Sequence, residues 1–272
     1  MTTPTTIQAE VTSTTQNNLI IYEMPLNDAV RICLRLEHLF RQFEKTVSST
    51  STLATKNAMD ALLKIQEVTD RPDIKSKLSQ TLTQYANTFG QMSRSPQIDS
   101  ARLQTTLKKI DVLNNYLHTH HARIGEPLRQ NDFLAQIRSN LTNPGGVCDY
   151  RLPAYTLWKN KPAEEKAKDL NTWMETFRPL HDIMEAILQL TRECTPLQTV
   201  TAENGFYLQP LNPNAPCHLV RVALPAQTNL YPEFSAGKHR LTIRFLTPSY
   251  FGAGKSTQTQ GSTSFQLACC KI

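Results

Sequence analysis

The feature that most constrains this chain is a change in the period of its apolar residues near Thr199. Before that point, apolar side chains recur every three to four residues, which gathers them on one side of a helix. Val30, Cys33, Leu34, Leu36, Phe40 and Phe43 form the first such stripe, and Asn27 or Asp28 can cap it. Ala58, Leu62, Ile65 and Val68 form a second, beginning near Thr52. Pro72 restarts the chain at a first-turn position, followed by Ile74, Leu78, Leu82, Tyr85 and Phe89, with Gly90 as a stop. A fourth stripe from about Asp99 carries Leu103, Leu107, Ile110, Leu113 and Leu117. Short linkers between such stripes predict packed antiparallel helices. Asn143-Pro144-Gly145-Gly146 is the strongest turn signal, and residues 147–152 after it read as a short strand. Helical pattern resumes over 155–158 and again from 170 to about 194, kinked or split at Pro179.

Beyond Thr199 the period is two. Val220, Val222 and Leu224 share one face of a strand, and Phe265, Leu267 and Cys269 repeat the alternation. Leu241, Ile243 and Phe245 share one face of another strand, which leaves Arg240, Thr242 and Arg244 on the other. Leu19-Ile20-Ile21-Tyr22, ending before Pro25, reads as one more strand. The expected fold class is therefore α+β, a helical-bundle domain plus a mostly C-terminal antiparallel β-sheet domain. Residues 1–18 are too polar to bury a core and are expected to form a disordered tail. A short strand over 19–25 is expected to join the sheet, followed by a mainly helical domain over 26–198 and a β-domain over 199–272. The strand near 146–152 is a further candidate for the sheet.

Several function classes find no support. No window approaches the run of about 20 apolar residues that spans a membrane. Residues 1–18 lack the basic start and apolar segment of a secretory signal, so a cytoplasmic location is expected. Cys33, Cys148, Cys194, Cys217, Cys269 and Cys270 are scattered apart from one adjacent pair, without a C-x-x-C, and fit buried free thiols. Gly252-Ala253-Gly254-Lys255-Ser256-Thr257 resembles the end of a phosphate-binding loop, but Ser249 stands where that pattern needs glycine. Its continuation, Gln258-Thr259-Gln260-Gly261-Ser262, has loop composition where a helix N-terminus is required. His118, His120 and His121 lack a carboxylate or cysteine at ligand spacing. No catalytic residue, cofactor or metal is expected.

Charge is more informative. The net charge is +6; from residue 200 onward Arg221, Lys238, Arg240, Arg244, Lys255 and Lys271 face only Glu203 and Glu233, so the last quarter carries +4 of it. That asymmetry points to an anionic partner. Arg240 and Arg244, with Lys238 in the lead-in, lie on one strand face roughly 13 Å apart. Arg31 and Arg35 are spaced four apart on the first helix, where like charges repel unless an anion joins them. Nucleic acid is not favoured: RNA-binding sheets stack bases on aromatics, and the aromatic of the basic strand, Phe245, belongs to the opposite face.

Several stretches occur together in order. They are Tyr22-Glu23-Met24-Pro25-Leu26-Asn27, then Arg31, Leu34-Arg35-Leu36-Glu37, Arg123-Ile124-Gly125 with Leu128-Arg129, and Asn143-Pro144-Gly145-Gly146-Val147-Cys148. Asn204-Gly205-Phe206-Tyr207, Leu230-Tyr231-Pro232, Arg240-Leu241-Thr242-Ile243-Arg244-Phe245 and Leu267-Ala268-Cys269-Cys270 follow. In this order and spacing they resemble the ZapD family of bacterial cell-division proteins. The resemblance implies a non-enzymatic, homodimeric adaptor that binds the C-terminal tail of FtsZ, the tubulin-like division GTPase. Such an adaptor would bundle FtsZ filaments at the midcell division ring. It carries partner-binding roles onto Arg35, Arg240 and Arg244, with Lys238 contributing, while Glu37 matches a charged position of the family's first helix. Arg31 and Arg129 complete the candidate set. The chain departs from the family's pattern at Asp132 and at Thr156 before Leu157-Trp158, which implies a smaller basic site centred on the strand.

Overall fold

The computed structural model describes residues 19–92, 99–120, 122–141, 150–250 and 254–272. Within these, two compact units form. One holds Met24–Pro196, Leu211–Val220 and Cys269–Ile272; the other holds the chain up to Glu23, Leu197–Pro210 and Arg221–Ala268. The α+β class expected from periodicity holds.

The first unit is mainly helical. It contains α1 (Asp28–Val47), α2 (Thr52–Thr69), α3 (Ile74–Met92), α4 (Ser100–Thr119), α5 (Glu126–Arg129), α6 (Asp132–Leu141), α7 (Pro153–Lys159), α8 (Ala163–Glu175) and α9 (Arg178–Glu193). Side-chain caps start three of these helices, α6 among them, where Asn131 accepts from the backbone N–H of Leu134 at 3.1 Å. The Asn27 side chain accepts from the backbone N–H groups of Ala29 at 2.8 Å and Val30 at 3.2 Å, and Asp99 does the same for Ala101 and Arg102. Leu36, Leu62, Ile65, Leu78, Leu82 and Ile187 are fully buried, as their three-to-four spacing requires. Tyr85 is buried with them, and its hydroxyl meets that of Thr191 at 2.7 Å. Thr191 donates its own proton to the Ile187 carbonyl, so Tyr85 is the donor of the pair and the buried phenol is satisfied.

Some expectations are corrected. Gly90 does not end α3, which continues to Met92; the space around that glycine is open, and nothing there forces the chain out of the helix. Pro179 does not kink a helix but opens α9, where its missing N–H has no intrahelical partner to lose. Helices α5 and α6 were not anticipated. Of the candidate strand, residues 150–152 form a turn leading into α7. The remainder of that candidate, the 143–146 turn signal and the polar tail lie outside the described residues.

The second unit carries most of the strands. These are β1 (Leu19–Pro25), β2 (Gln198–Ala202), β3 (Phe206–Pro210), β4 (Cys217–Pro225), β5 (Tyr231–Ala236), β6 (Arg240–Thr247), β7 (Thr257–Gln258) and β8 (Thr263–Lys271). One sheet has the order β1-β4-β8-β2 and the other β3-β6-β5, with β7 also pairing β6. The alternation expected for β6 is present: Leu241, Ile243 and Phe245 are fully buried, while Arg240 and Arg244 are exposed. In β4 it is not, because residues on both faces are buried, the pattern of a strand covered on two sides. In β8 the inward set shifts after Leu267, so that Ala268 and Cys270 are buried and Cys269 only half so.

Candidate partner-binding site

The geometry of the basic strand β6 is set by the turn that precedes β3. Asn204 and Gly205 both have positive φ, +52° and +66°, the signature of a two-residue hairpin turn closed by Phe206 N–H donating to the Glu203 carbonyl at 2.9 Å. A Cβ at Gly205 would lie 2.6 Å from the Thr259 backbone oxygen, so the position admits only glycine. The Gly205 carbonyl then accepts from Phe245 N–H at 2.8 Å, which fixes β3 against β6 in the register Phe206↔Arg244, Leu208↔Thr242 and Pro210↔Arg240. On the other side, β5 pairs Glu233 with Arg244 and Ser235 with Thr242.

Residues directly opposite one another share a face. The outer face of this sheet therefore holds Arg240, Thr242 and Arg244 in the middle, Phe206, Leu208 and Pro210 on one flank, and Glu233 and Ser235 on the other. Phe206 and Leu208 are 44% and 51% exposed. Arg244 donates to Glu233 across the strand pair. Among the described residues, no carboxylate pairs with Lys238 or Arg240.

The candidates on helices divide into two groups. Arg35 is exposed and lines a surface hollow of about 430 Å³ with Leu39, Lys64, Glu67, Val68 and Arg71. Arg31 donates to Asp28, which also receives Lys77 at 3.2 Å; the Lys77 hydrogen bond and charge, with Arg31 beside it, hold the Asp28 carboxyl below its usual range. Arg129 and Glu37 are instead built into the fold. Arg129 donates to Asp70 (2.7 Å), to the Ile124 carbonyl (2.7 Å) and to the Thr69 carbonyl (3.1 Å). Its turn depends on Gly125, whose φ is +76° and whose Cβ position is occupied by the ring of Phe177. Glu37 takes a two-point contact from Arg192, at 2.7 and 2.8 Å, and another from Arg41 at 2.8 Å, joining α1 to α9.

Burial opposes ionisation of Glu37, but the hydrogen bonds and charge of Arg192, with Arg41, outweigh it and lower its pKa. A carboxylate with a depressed folded pKa stabilises above its unfolded value and loses that contribution as pH falls through the folded one. Glu37→Gln is therefore expected to cost about 2 kcal/mol at pH 7, the scale of charge-assisted hydrogen bonds. The gap to wild type in urea denaturation should narrow as pH falls below the unfolded carboxylate value of about 4.3. A gap of equal size at pH 7 and pH 3 would contradict this role.

The family model that matches this chain is described as ZapD, cell division protein, and covers residues 34–244. Two curated relatives named cell division protein ZapD, from Coxiella burnetii strains RSA 331 and RSA 493, are each 48% identical over 253 residues, covering 93% of this chain and 98% of theirs. Another of that name, from Methylococcus capsulatus, is 32% identical over 255 residues, 94% of this chain and 99% of its own. The chain belongs to the ZapD family of cell-division proteins. ZapD proteins are non-enzymatic. The matched span includes Arg35, Glu37, Arg129, Lys238, Arg240 and Arg244, whereas Arg31 precedes it.

Sequence reasoning missed Phe206 and Leu208. Within β6 the aromatic is kept off the basic face, but β3 brings Phe206 alongside Arg244 on that face. The Asn204-Gly205 pair was the available signal. Lys255 is followed by β7 and not by a helix, so the glycine-lysine stretch has no helix N-terminus to offer phosphate. His118 contacts the Ser79 hydroxyl at 3.0 Å, and His121 lies outside the described residues. Among the described residues, His181, Asp182 and Glu185 on α9 bring three metal-ligand atoms within 4.8 Å of one another, and Asp182 there also faces Arg178 at 3.5 Å. Five cysteines are free thiols, with Cys148 outside the described residues. Among the described residues no helix is long and apolar enough to cross a membrane.

Proposed function

We propose that this ZapD-family chain is a dimeric crosslinker of FtsZ filaments, and that it takes the C-terminal tail of FtsZ on the outer face of the β3-β6-β5 sheet. The observation that supports this most is the placement of Arg240 and Arg244 outward on a strand whose alternate residues, Leu241, Ile243 and Phe245, are fully buried. Anchored in this way, the backbone beneath the two guanidinium groups is already ordered, and each group can grip a carboxylate through two N–H donors. The Arg244–Glu233 pair is half-exposed on both sides, and such pairs contribute at most about 1 kcal/mol, so a tail carboxylate can displace Glu233. Lys238 adds charge beside them, and Arg35, over its partly apolar hollow, is a second contact. Glu37 and Arg129, held by their internal ion pairs, support the helices and not the partner.

A two-fold dimer would display two copies of this face, and filaments display many tails. Weak single contacts then become firm attachment through effective concentration. The activity belongs in the cytoplasm, at the midcell division ring. A labelled tail peptide should bind with an affinity that falls as salt rises, because charges are screened beyond about 8 Å at physiological ionic strength. Affinity independent of salt would contradict a charge-led contact. The second reading is a single-stranded nucleic acid stacked on Phe206, the aromatic next to Arg244.

A further inference from the structure

The apolar flank of the basic face is left half open to solvent. In β3 the side chains alternate strictly: Tyr207 turns inward, its ring edge-on to Phe265 at 5.3 Å, while Phe206, Leu208 and Pro210 are exposed. Single exposed apolar residues are ordinary, but these three form one continuous row. The row lies one strand spacing, about 4.8 Å, from the row of Arg240, Thr242 and Arg244 and runs alongside it in a fixed register. The 2.8 Å bond from Phe245 N–H to the Gly205 carbonyl ties that register at its end, and a slip by one residue would turn Phe206 and Leu208 inward.

We infer that Phe206 and Leu208 are the specificity-determining apolar half of this surface, which takes an extended acidic peptide with apolar side chains interleaved among its carboxylates. The inference rests on the tail-binding reading and adds to it what the arginines alone cannot supply. Guanidinium groups attract any anion, whereas a paired apolar row selects those anionic chains that carry hydrophobic residues at matching spacing. A peptide laid along the sheet would meet Arg240 and Arg244 with its carboxylates and Phe206 and Leu208 with its apolar residues. Charge complementarity calls for an anionic chain, and the apolar row favours a peptide over a nucleic acid: among the described residues Phe206 is the one well-exposed aromatic on this face, while Leu208 and Pro210 present no aromatic ring on which a base could stack.

The test is fluorescence anisotropy with a labelled FtsZ tail peptide across a salt series, using the full chain. Phe206→Ala combined with Leu208→Ala should weaken binding about tenfold or more, since burying an apolar side chain is worth well over that factor. The slope of affinity against salt should not change, because no charge is removed. Arg240→Glu should flatten that slope. Leu208→Thr, which keeps a strand-forming residue, is the second variant should the double substitution lower thermal stability, and it should weaken binding in the same direction. A folded variant of either kind with wild-type affinity would overturn the inference while leaving the arginine site standing. A wild-type chain that fails to bind the peptide would instead overturn the tail-binding reading. Displacement of the peptide by an equimolar single-stranded oligonucleotide would assign the row to base stacking and remove the peptide as its occupant.

Discussion

Reversing charge at Arg240 and Arg244 together is expected to abolish binding of the FtsZ tail, by a factor of about 100 or more, while the chain stays folded. Losing one partner of a hydrogen-bonded charge pair at an interface costs about 2–5 kcal/mol, and reversal adds repulsion to that loss. Both side chains are exposed and project from the face opposite the buried Leu241, Ile243 and Phe245, so the core is untouched. The structural cost is confined to the cross-strand pair with Glu233, where reversal sets two acids opposite each other. Like charges in that position destabilise by roughly 0.2–1 kcal/mol. Circular dichroism and a thermal melt should therefore look close to wild type. A folded double variant with unchanged affinity would remove the strand from the site.

Phe245→Ala should do the reverse, damaging the fold through the same strand. Its ring is fully buried, with its centroid 4.7 Å from that of Phe265. Its backbone also accepts from Thr259 N–H at 3.0 Å and donates to Gly205, so the strand is tied down on that side and cannot collapse into a cavity easily. Removing a buried phenylalanine side chain costs about 3–5 kcal/mol. Against a total stability of about 5–15 kcal/mol, the loss should be plain in chemical denaturation. A measured change below about 1 kcal/mol would mean the site relaxes, and the claim of a rigid platform for the arginines would fail with it.

How much of this was readable in advance depends on the range over which each signal acts. Asn27 and Asp99 act on residues two and three positions away; the sequence marks Asn27 or Asp28 as a cap and Asp99 as the start of a helix, and both Asn27 and Asp99 cap. The outward placement of Arg240 and Arg244 follows from period two within one strand, and it too was legible. Glu37 and Arg129 were placed at the partner surface, yet their charges are met by Arg192, 155 positions away, and Asp70, 59 positions away. No local pattern announces such pairings. Phe206 belongs to a strand of five residues, too short for its alternation to stand out, and its place beside Arg244 is a fact of register between strands. Gly90 reads as a helix stop by composition, but composition does not reveal that open space surrounds it and that α3 passes through.

The central claim, that the chain bundles FtsZ filaments by holding their tails, is tested most directly by cosedimentation with assembled FtsZ, full-length and lacking its C-terminal tail. Full-length filaments should pellet as bundles together with this protein at low centrifugal force. Tailless filaments should assemble normally yet stay unbundled, with this protein left in the supernatant. Bundling of tailless filaments to the same extent as full-length ones would contradict the account.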